Sequence, residues 1–339
     1  MLPAIVPTYV IDLAKAENAR WSEVIGKEKG VAGRLVQEAA AEFNKVPEVL
    51  RWIFAHLYQI MGGLYQAEIA AWADGLGVSL GTATMLNCAY ELSHLRRPRF
   101  LGCTAGIRWI DGLGMVHLRT LDWPLPSIAE ATRLFRFRRG SREFVVVGAC
   151  GHVGVLSGML PGAYSVTINW APPAGFPTFD FGPTFMLRDA LEKCDTFDAA
   201  VKSLCDTRLS TSVFFTVCGA EKGQACVIER TQREAVVRPM ADGVIVQANH
   251  HIAPKFVKNN RTLAEVEEAS FEGDSVCRVE TLDRVLRETA RASSLEELAA
   301  LVNHAPILNP YTCQQMLFCP MTGDARVWPK LASTTGCPS

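Results

Sequence analysis

The texture of this 339-residue chain changes once, near residue 100, and that change limits what it can fold into. Before it, apolar residues recur at helical spacing through 31–43, 50–60 and 65–76, the period of a helix with one buried face. Asp74-Gly75 and Gly77 mark a break. Ser79-Leu80-Gly81 then opens another helix through Ala83 to His94, with Ser79 or Thr82 as its N-cap. Residues 12–95 are therefore expected to be helical, with Pro98 ending the last segment. After residue 100 come short strand-like runs at 104–110, 115–121, 143–148, 153–157, 163–169, 212–218, 224–230, 233–238 and 243–248, separated by Gly, Asp and Pro turns. Helical patterns interrupt at 183–205 and 274–303, and a last strand pair falls at about 311–319 and 325–328. There is no internal repeat and no low-complexity linker. A helical opening followed by many antiparallel strands with helices between them predicts an α+β protein, two sheets covered by helices.

Charge excludes several functions. Thirty-five acidic side chains nearly match 34 basic ones, so nothing points to a nucleic-acid partner or an acidic disordered tail. One basic cluster stands out: Arg133, Arg136, Arg138, Arg139 and Arg142. It reads as a solvated strand and turn, with peripheral contact with anionic lipid head groups, or with a partner, as the alternative. No run of about 20 apolar residues could span a bilayer. Residues 1–11 carry two prolines and no basic n-region, so they do not read as a signal peptide. The expectation is a cytoplasmic protein unless a leader precedes this sequence.

Eleven cysteines in scattered positions argue against a disulfide framework, and without a CxxC pair no metal site is expected. Most read as small buried hydrophobes, Cys150, Cys218 and Cys226 among them. Adjacent His250 and His251 would point to opposite faces of a strand and so do not share a metal.

Cys103 is the exception. It opens a strand that turns at Asp111-Gly112-Leu113-Gly114, and the returning strand brings Arg119 and Asp122, 16 and 19 residues after the cysteine. With Gly112-Leu113 as a two-residue loop, Cys103 faces Asp122; another turn choice shifts that register. Arg119 and Asp122, three residues apart, face opposite sides of a regular strand, so for both to serve one site the strand must bulge or end near Pro124. By itself Cys103 reads as a buried thiol, and the arginine and aspartate as an ordinary ion pair. Together they suggest an activated nucleophile. A thiol is weak until its proton is removed, and an α-amine, with a pKa near ~7.7–8, suits that task. A carboxylate would orient the amine, and a guanidinium would favour the thiolate or hold a substrate oxygen.

Further marks are Val6-Pro7-Thr8-Tyr9-Val10-Ile11-Asp12-Leu13, Arg20-Trp21 and Asn87-Cys88-Ala89-Tyr90-Glu91-Leu92. With the spacing after Cys103, nearly the whole chain resembles the acid ceramidase and N-acylethanolamine acid amidase family. These are N-terminal-nucleophile hydrolases related to choloylglycine hydrolases. The resemblance implies a four-layer αββα sandwich and a zymogen that cuts itself between Gly102 and Cys103. The products would be a helical segment 1–102 and a catalytic domain 103–339, which stay associated. It implies Cys103 as nucleophile, Arg119 and Asp122 beside it, and no cofactor or metal. It also implies Asn249, ending 244–249, as an oxyanion donor, Asn169 as a second polar group, and Arg278 as the late arginine of the site. Removing one oxyanion donor typically costs roughly 10²–10³ in rate. The local alternatives are a strand-end cap for Asn249, an Asx turn for Asn169 and a solvated face for Arg278. The acid amidases place a glutamate where this chain has Trp170.

Trp123 and Trp170 follow Asp122 and Asn169 and could line an apolar acyl pocket, or simply belong to the core. The leading expectation is a self-processing cysteine amidase that cleaves linear, lipid-like amides such as N-acylethanolamines or ceramide-like lipids. The alternatives are an acyltransferase using the same thioester, a bile-salt or penicillin-type amide hydrolase, and a non-catalytic lipid-binding relative.

Overall fold

The hairpin at residue 102 organises the molecule. Strands β2 (Gly102–Ile110) and β3 (Gly114–Asp122) pair antiparallel, with Ile110 opposite Gly114. The loop therefore has three residues, Asp111, Gly112 and Leu113. Gly112 and Gly114 take positive φ of 88° and 93°, which an L side chain tolerates poorly. This moves the register by one residue from the two-residue loop expected above. Cys103 lies opposite Leu121, and Asp122 lies opposite Gly102.

The computed structural model describes residues 6–43, 49, 52, 64–96, 102–123, 125–260, 271–289 and 292–330. Of the expected helix at 50–60 only Trp52 falls among them, and Pro98 and Pro124 lie outside. The other strands are β1 (Thr8–Asp12), β4 (Thr132–Arg139), β5 (Arg142–Ala149), β6 (Ser157–Leu160), β7 (Tyr164–Trp170), β8 (Val213–Gly219), β9 (Ala225–Arg230), β10 (Ala235–Pro239), β11 (Val244–Gln247), β12 (Thr312–Cys319) and β13 (Asp324–Pro329). They form an eight-stranded sheet, β1-β4-β5-β6-β7-β8-β9-β10, and a five-stranded sheet, β11-β2-β3-β12-β13. The helices are α1 (Ser22–Phe43), α2 (Gln66–Leu76), α3 (Leu80–Asn87), α4 (Ala89–Arg96), α5 (Ser127–Ala131), α6 (Pro183–Lys193), α7 (Phe197–Asp206), α8 (Phe271–Glu288) and α9 (Leu295–Leu301). Ser79 caps α3, its hydroxyl accepting from Thr82 N–H at 3.1 Å.

Two readings change. Thr8–Asp12 is a strand paired parallel to β4, an edge position that five residues of mixed polarity do not announce. The run at 153–157 is mostly a connection, and the strand there is β6 at Ser157–Leu160.

The layers follow from strand alternation. Ile107 and Met115 of the small sheet pack with Phe214, Cys218 and Val227 of the large one, and Met316 and Phe318 pack with Val147 and Met159. The opposite face, Ile110, Val116, Leu118, Val244 and Val246, meets Leu282 and Leu286 of α8 and Leu295 and Leu298 of α9. Gly106 permits that approach: a Cβ there would stand 2.8 Å from Leu286 and 3.0 Å from Leu282. Helices α1, α2, α3 and α6 supply residues to the core cluster on the far side of the large sheet. The result is the four-layer αββα sandwich.

Candidate active site

Cys103 and Arg119 lie on the face of the β2–β3 hairpin that looks between the sheets. Arg119 sits opposite Ala105, so its side chain emerges on the same side as Cys103. Arg119 Nη2 donates to Cys103 Sγ at 3.3 Å and to the Ile168 carbonyl at 2.6 Å, and Nη1 donates to Ser157 Oγ at 2.7 Å. Both residues are buried. Among the described residues Arg119 makes no ion pair, and its Nε has no hydrogen-bond partner. A buried guanidinium without a carboxylate is costly. Its contacts here are a thiol, a hydroxyl and a carbonyl.

Asp122 and Arg278 occupy the other face, under α8. Arg278 Nη1 donates to the Cys103 carbonyl at 2.7 Å and to Thr104 Oγ1 at 2.8 Å; Nη2 donates to Asn249 Oδ1 at 2.9 Å. Its Nε pairs with Asp274 at 2.8 Å, and Nη1 stands 3.9 Å from Asp122 Oδ2. Asp122 accepts from Thr312 Oγ1 at 2.7 Å and from Asn309 Nδ2 at 2.8 Å. Burial pushes its carboxyl above the ordinary range, and Arg278, Thr312 and Asn309 pull the other way. Its carboxylate lies against Gly102: a Cβ there would be 3.0 Å from Oδ2.

Asn249 and Asn169 close the group. The Cys103 N–H donates to Asn249 Oδ1 at 2.9 Å, and Asn249 Nδ2 donates to the Trp170 carbonyl at 2.9 Å. Asn169 Nδ2 lies 3.0–3.3 Å from the carbonyls of Gln247, Ala248 and Cys103, and its Oδ1 has no partner among the described residues. All six polar residues singled out in the sequence thus gather around residue 103.

The two tryptophans separate. Trp123 lines a largely apolar cavity of about 530 Å³, counted to its open mouth, with Leu35, Leu86, Leu121, Ile128 and Leu156. Leu121 is the cross-strand neighbour of Cys103, so the cavity adjoins the thiol's face. Trp170 does not line it. Its indole stacks on His94 at 5.1 Å and donates to Ser93 Oγ at 3.0 Å. His250 and His251 diverge to Ser275 and Glu229.

The comparisons with known proteins point one way. The family described as acyl-coenzyme A:6-aminopenicillanic acid acyl-transferase matches residues 173–307. Acid ceramidase of Rattus norvegicus is 26% identical over 264 residues, 68% of this chain and 65% of that protein. N-acylethanolamine-hydrolyzing acid amidase of Caenorhabditis elegans is 24% identical over 242 residues, 67% of this chain and 68% of that protein. The solved structure of the Caenorhabditis elegans ortholog of that amidase matches with a TM-score of 0.56 at 21% identity, covering 67% of this chain and 100% of that one.

The chain is similar in sequence to acid ceramidases and N-acylethanolamine-hydrolyzing acid amidases and shares the fold of the latter.

The aligned part spans just under two thirds of the rat relative's length. Around this site the sequence reasoning missed the supporting residues: Ser157 under Arg119, Thr104 beside Arg278, and Asn309 and Thr312 on Asp122. One local signal existed for the last pair. Asn309-Pro310 announces a turn just before the strand-like run.

Proposed function

We propose that this chain is a self-processing amidase whose nucleophile is Cys103, released as a new N-terminus by cleavage after Gly102. The observation that carries the reading is the buried Arg119 guanidinium 3.3 Å from Cys103 Sγ, with no carboxylate paired to it among the described residues. In the cut protein the Cys103 α-amine takes the thiol proton, and the thiolate attacks the substrate carbonyl carbon. The oxyanion meets side-chain amide hydrogens of Asn249 and Asn169. The ammonium returns its proton to the leaving amine as the C–N bond breaks, leaving a thioester that water hydrolyses. Asn249 Oδ1 holds the nitrogen of residue 103, while Asp122 and Arg278 fix the strand from the other face.

The substrates are fatty amides: an apolar cavity lined by Leu121, the cross-strand neighbour of Cys103, suits an acyl chain. Relatives named for ceramide and N-acylethanolamine hydrolysis support the same class. Fragments 1–102 and 103–339 stay associated. Glu68 accepts from Arg188 at 2.7 and 2.8 Å, Glu28 from Arg133 at 2.8 and 2.5 Å, and Asn87 bonds to Gly151 and Val153. A second reading, transfer of the acyl group to an added amine, is favoured by the match to an acyl-transferase family.

Mass spectrometry of active protein tests the reading. Two fragments, the second beginning at Cys103, are expected, together with release of fatty acid from N-acylethanolamines. Activity from a chain with no new terminus at residue 103 would overturn it. Amide product formed on adding a primary amine would favour transfer.

A further inference from the structure

We propose that Asn309 and Thr312 are positioning residues of this site: a turn whose two side-chain donors hold Asp122 as a hydrogen-bond acceptor against Gly102. The inference deepens the amidase reading and rests on it for its consequence in catalysis.

Each donor is locked by a second bond. Thr312 Oγ1 accepts from the Asn309 N–H at 3.0 Å, which directs its own hydrogen to Asp122 Oδ1 at 2.7 Å. Asn309 Oδ1 accepts from the Tyr311 N–H at 2.9 Å, which turns its NH₂ toward Asp122 Oδ2 at 2.8 Å. Asn309 cannot then reverse and accept a proton from a carboxylic acid without breaking a backbone bond, and Thr312 could accept one only by turning its own hydrogen away from Asp122. The turn is itself closed by Thr312 N–H to the Asn309 carbonyl at 3.1 Å, and anchored to the end of β3 by Trp123 N–H to the Tyr311 carbonyl at 2.8 Å.

Register explains why Thr312 reaches the carboxylate. β12 pairs Thr312 with Asp122 but Gln314 with Leu121, so Cys313 is an extra residue, a bulge at the strand's first turn. A bulge re-aims the side chains beside it. Without it, strand alternation would not leave Thr312 facing Asp122 while Gln314 faces Leu121.

The other groups that bear on Asp122 are few. Arg278 of α8 favours its ionised form, Asp274 of the same helix opposes it, and the Cys313 thiol adjoins it on β12. Burial works against ionisation, so Thr312 and Asn309 are needed beside a guanidinium that stands 3.9 Å away.

The test uses full-length protein with selectively ¹³C-labelled aspartate, in a Cys103→Ala background where cleavage chemistry plays no part. Asp122→Asn assigns the resonance. Thr312→Val with Asn309→Ala is expected to move the Asp122 titration upward by ~1 pH unit, a tenfold gain in proton affinity. Thr312→Ser restores it. Asn309→Ala alone, on a half-buried turn, gives a smaller shift of the same sign should the double variant misfold. With Cys103 intact, the acid limb of kcat/KM moves up by the same amount, and kcat falls while KM holds. A carboxyl that titrates at the parental pH in both variants overturns the inference. A shifted carboxyl in a protein that never cuts itself would sustain it and count against the amidase reading instead.

Discussion

The two faces of one hairpin differ in kind. Between the sheets, Cys103 and Arg119 form a thiol–guanidinium pair in which no carboxylate takes part among the described residues. Under α8, Arg278 stands between two carboxylates, Asp122 and Asp274, in a cluster with Thr104, Asn309 and Thr312. Strand alternation puts a sheet's thickness between these groups. They would act on one atom where the strand ends in the proposed cut protein. A nitrogen at residue 103, held by Asn249 Oδ1 and beside the Cys103 carbonyl that Arg278 grips, is that place. The difference is that the inner cation is held by a hydroxyl, a thiol and a carbonyl with no carboxylate among the described residues, whereas the outer carboxylate is surrounded by a guanidinium and two side-chain donors.

The sharpest way to break this comparison is Cys103→Ala. It removes the sulfur that Arg119 holds, and both the proposed self-cleavage and amide hydrolysis should fall by at least ~10⁴-fold, read by mass spectrometry and substrate turnover. Next come the two arginines. Arg278→Met leaves Asp122 buried without its cation and should lower unfolding free energy by roughly 3–5 kcal/mol in urea titration. Arg119→Met removes a cation that no carboxylate neutralises. It should melt no lower than Arg278→Met, yet lose ~10²–10³ in kcat/KM. Equal destabilisation by the two would show that the faces are not different in kind.

Glu91 supplies a control from the N-terminal segment. Its Oε1 accepts from Ser210 at 3.2 Å and its Oε2 has no partner among the described residues, so burial pushes it up to about 7. A carboxyl raised from 4.5 to about 7 on folding contributes stability fully present below 4.5 and lost as pH rises through about 7. At pH 8, Glu91→Gln should therefore be more stable than the parent by about 3 kcal/mol, an advantage that fades toward pH 4. Asp122→Asn should give a smaller gain of the same sign: burial raises this carboxyl too, but Arg278, Thr312 and Asn309 oppose it. The smallest effect belongs to Gly102→Ala. Its Cβ would press on Asp122 at 3.0–3.1 Å, and self-cleavage should slow about tenfold in a time course.

Much of the frame was legible in residue order. The texture change near residue 100, the helix opened by Ser79 and the hairpin after Cys103 all depend on neighbours in the chain, which local propensity and periodicity record. The edge strand at Thr8–Asp12 was not legible, because it is a strand by virtue of β4, more than a hundred residues away. The hairpin register was missed by one residue because a glycine on each side of Leu113 allows either loop length, and only the pairing chooses.

The sequence by itself determined which residue types could make a nucleophile here and how they space along two strands. Only the tertiary structure decided how they meet. It put the thiol and Asp122 on opposite faces, turned Asn249's oxygen to the nitrogen of residue 103, set Trp170 against His94, and brought Asn309 and Thr312 from 187 and 190 residues away onto Asp122. Spacing along a chain is written in covalent bonds. The partners of a buried charge come from wherever packing brings a donor, and that is a property of the whole fold.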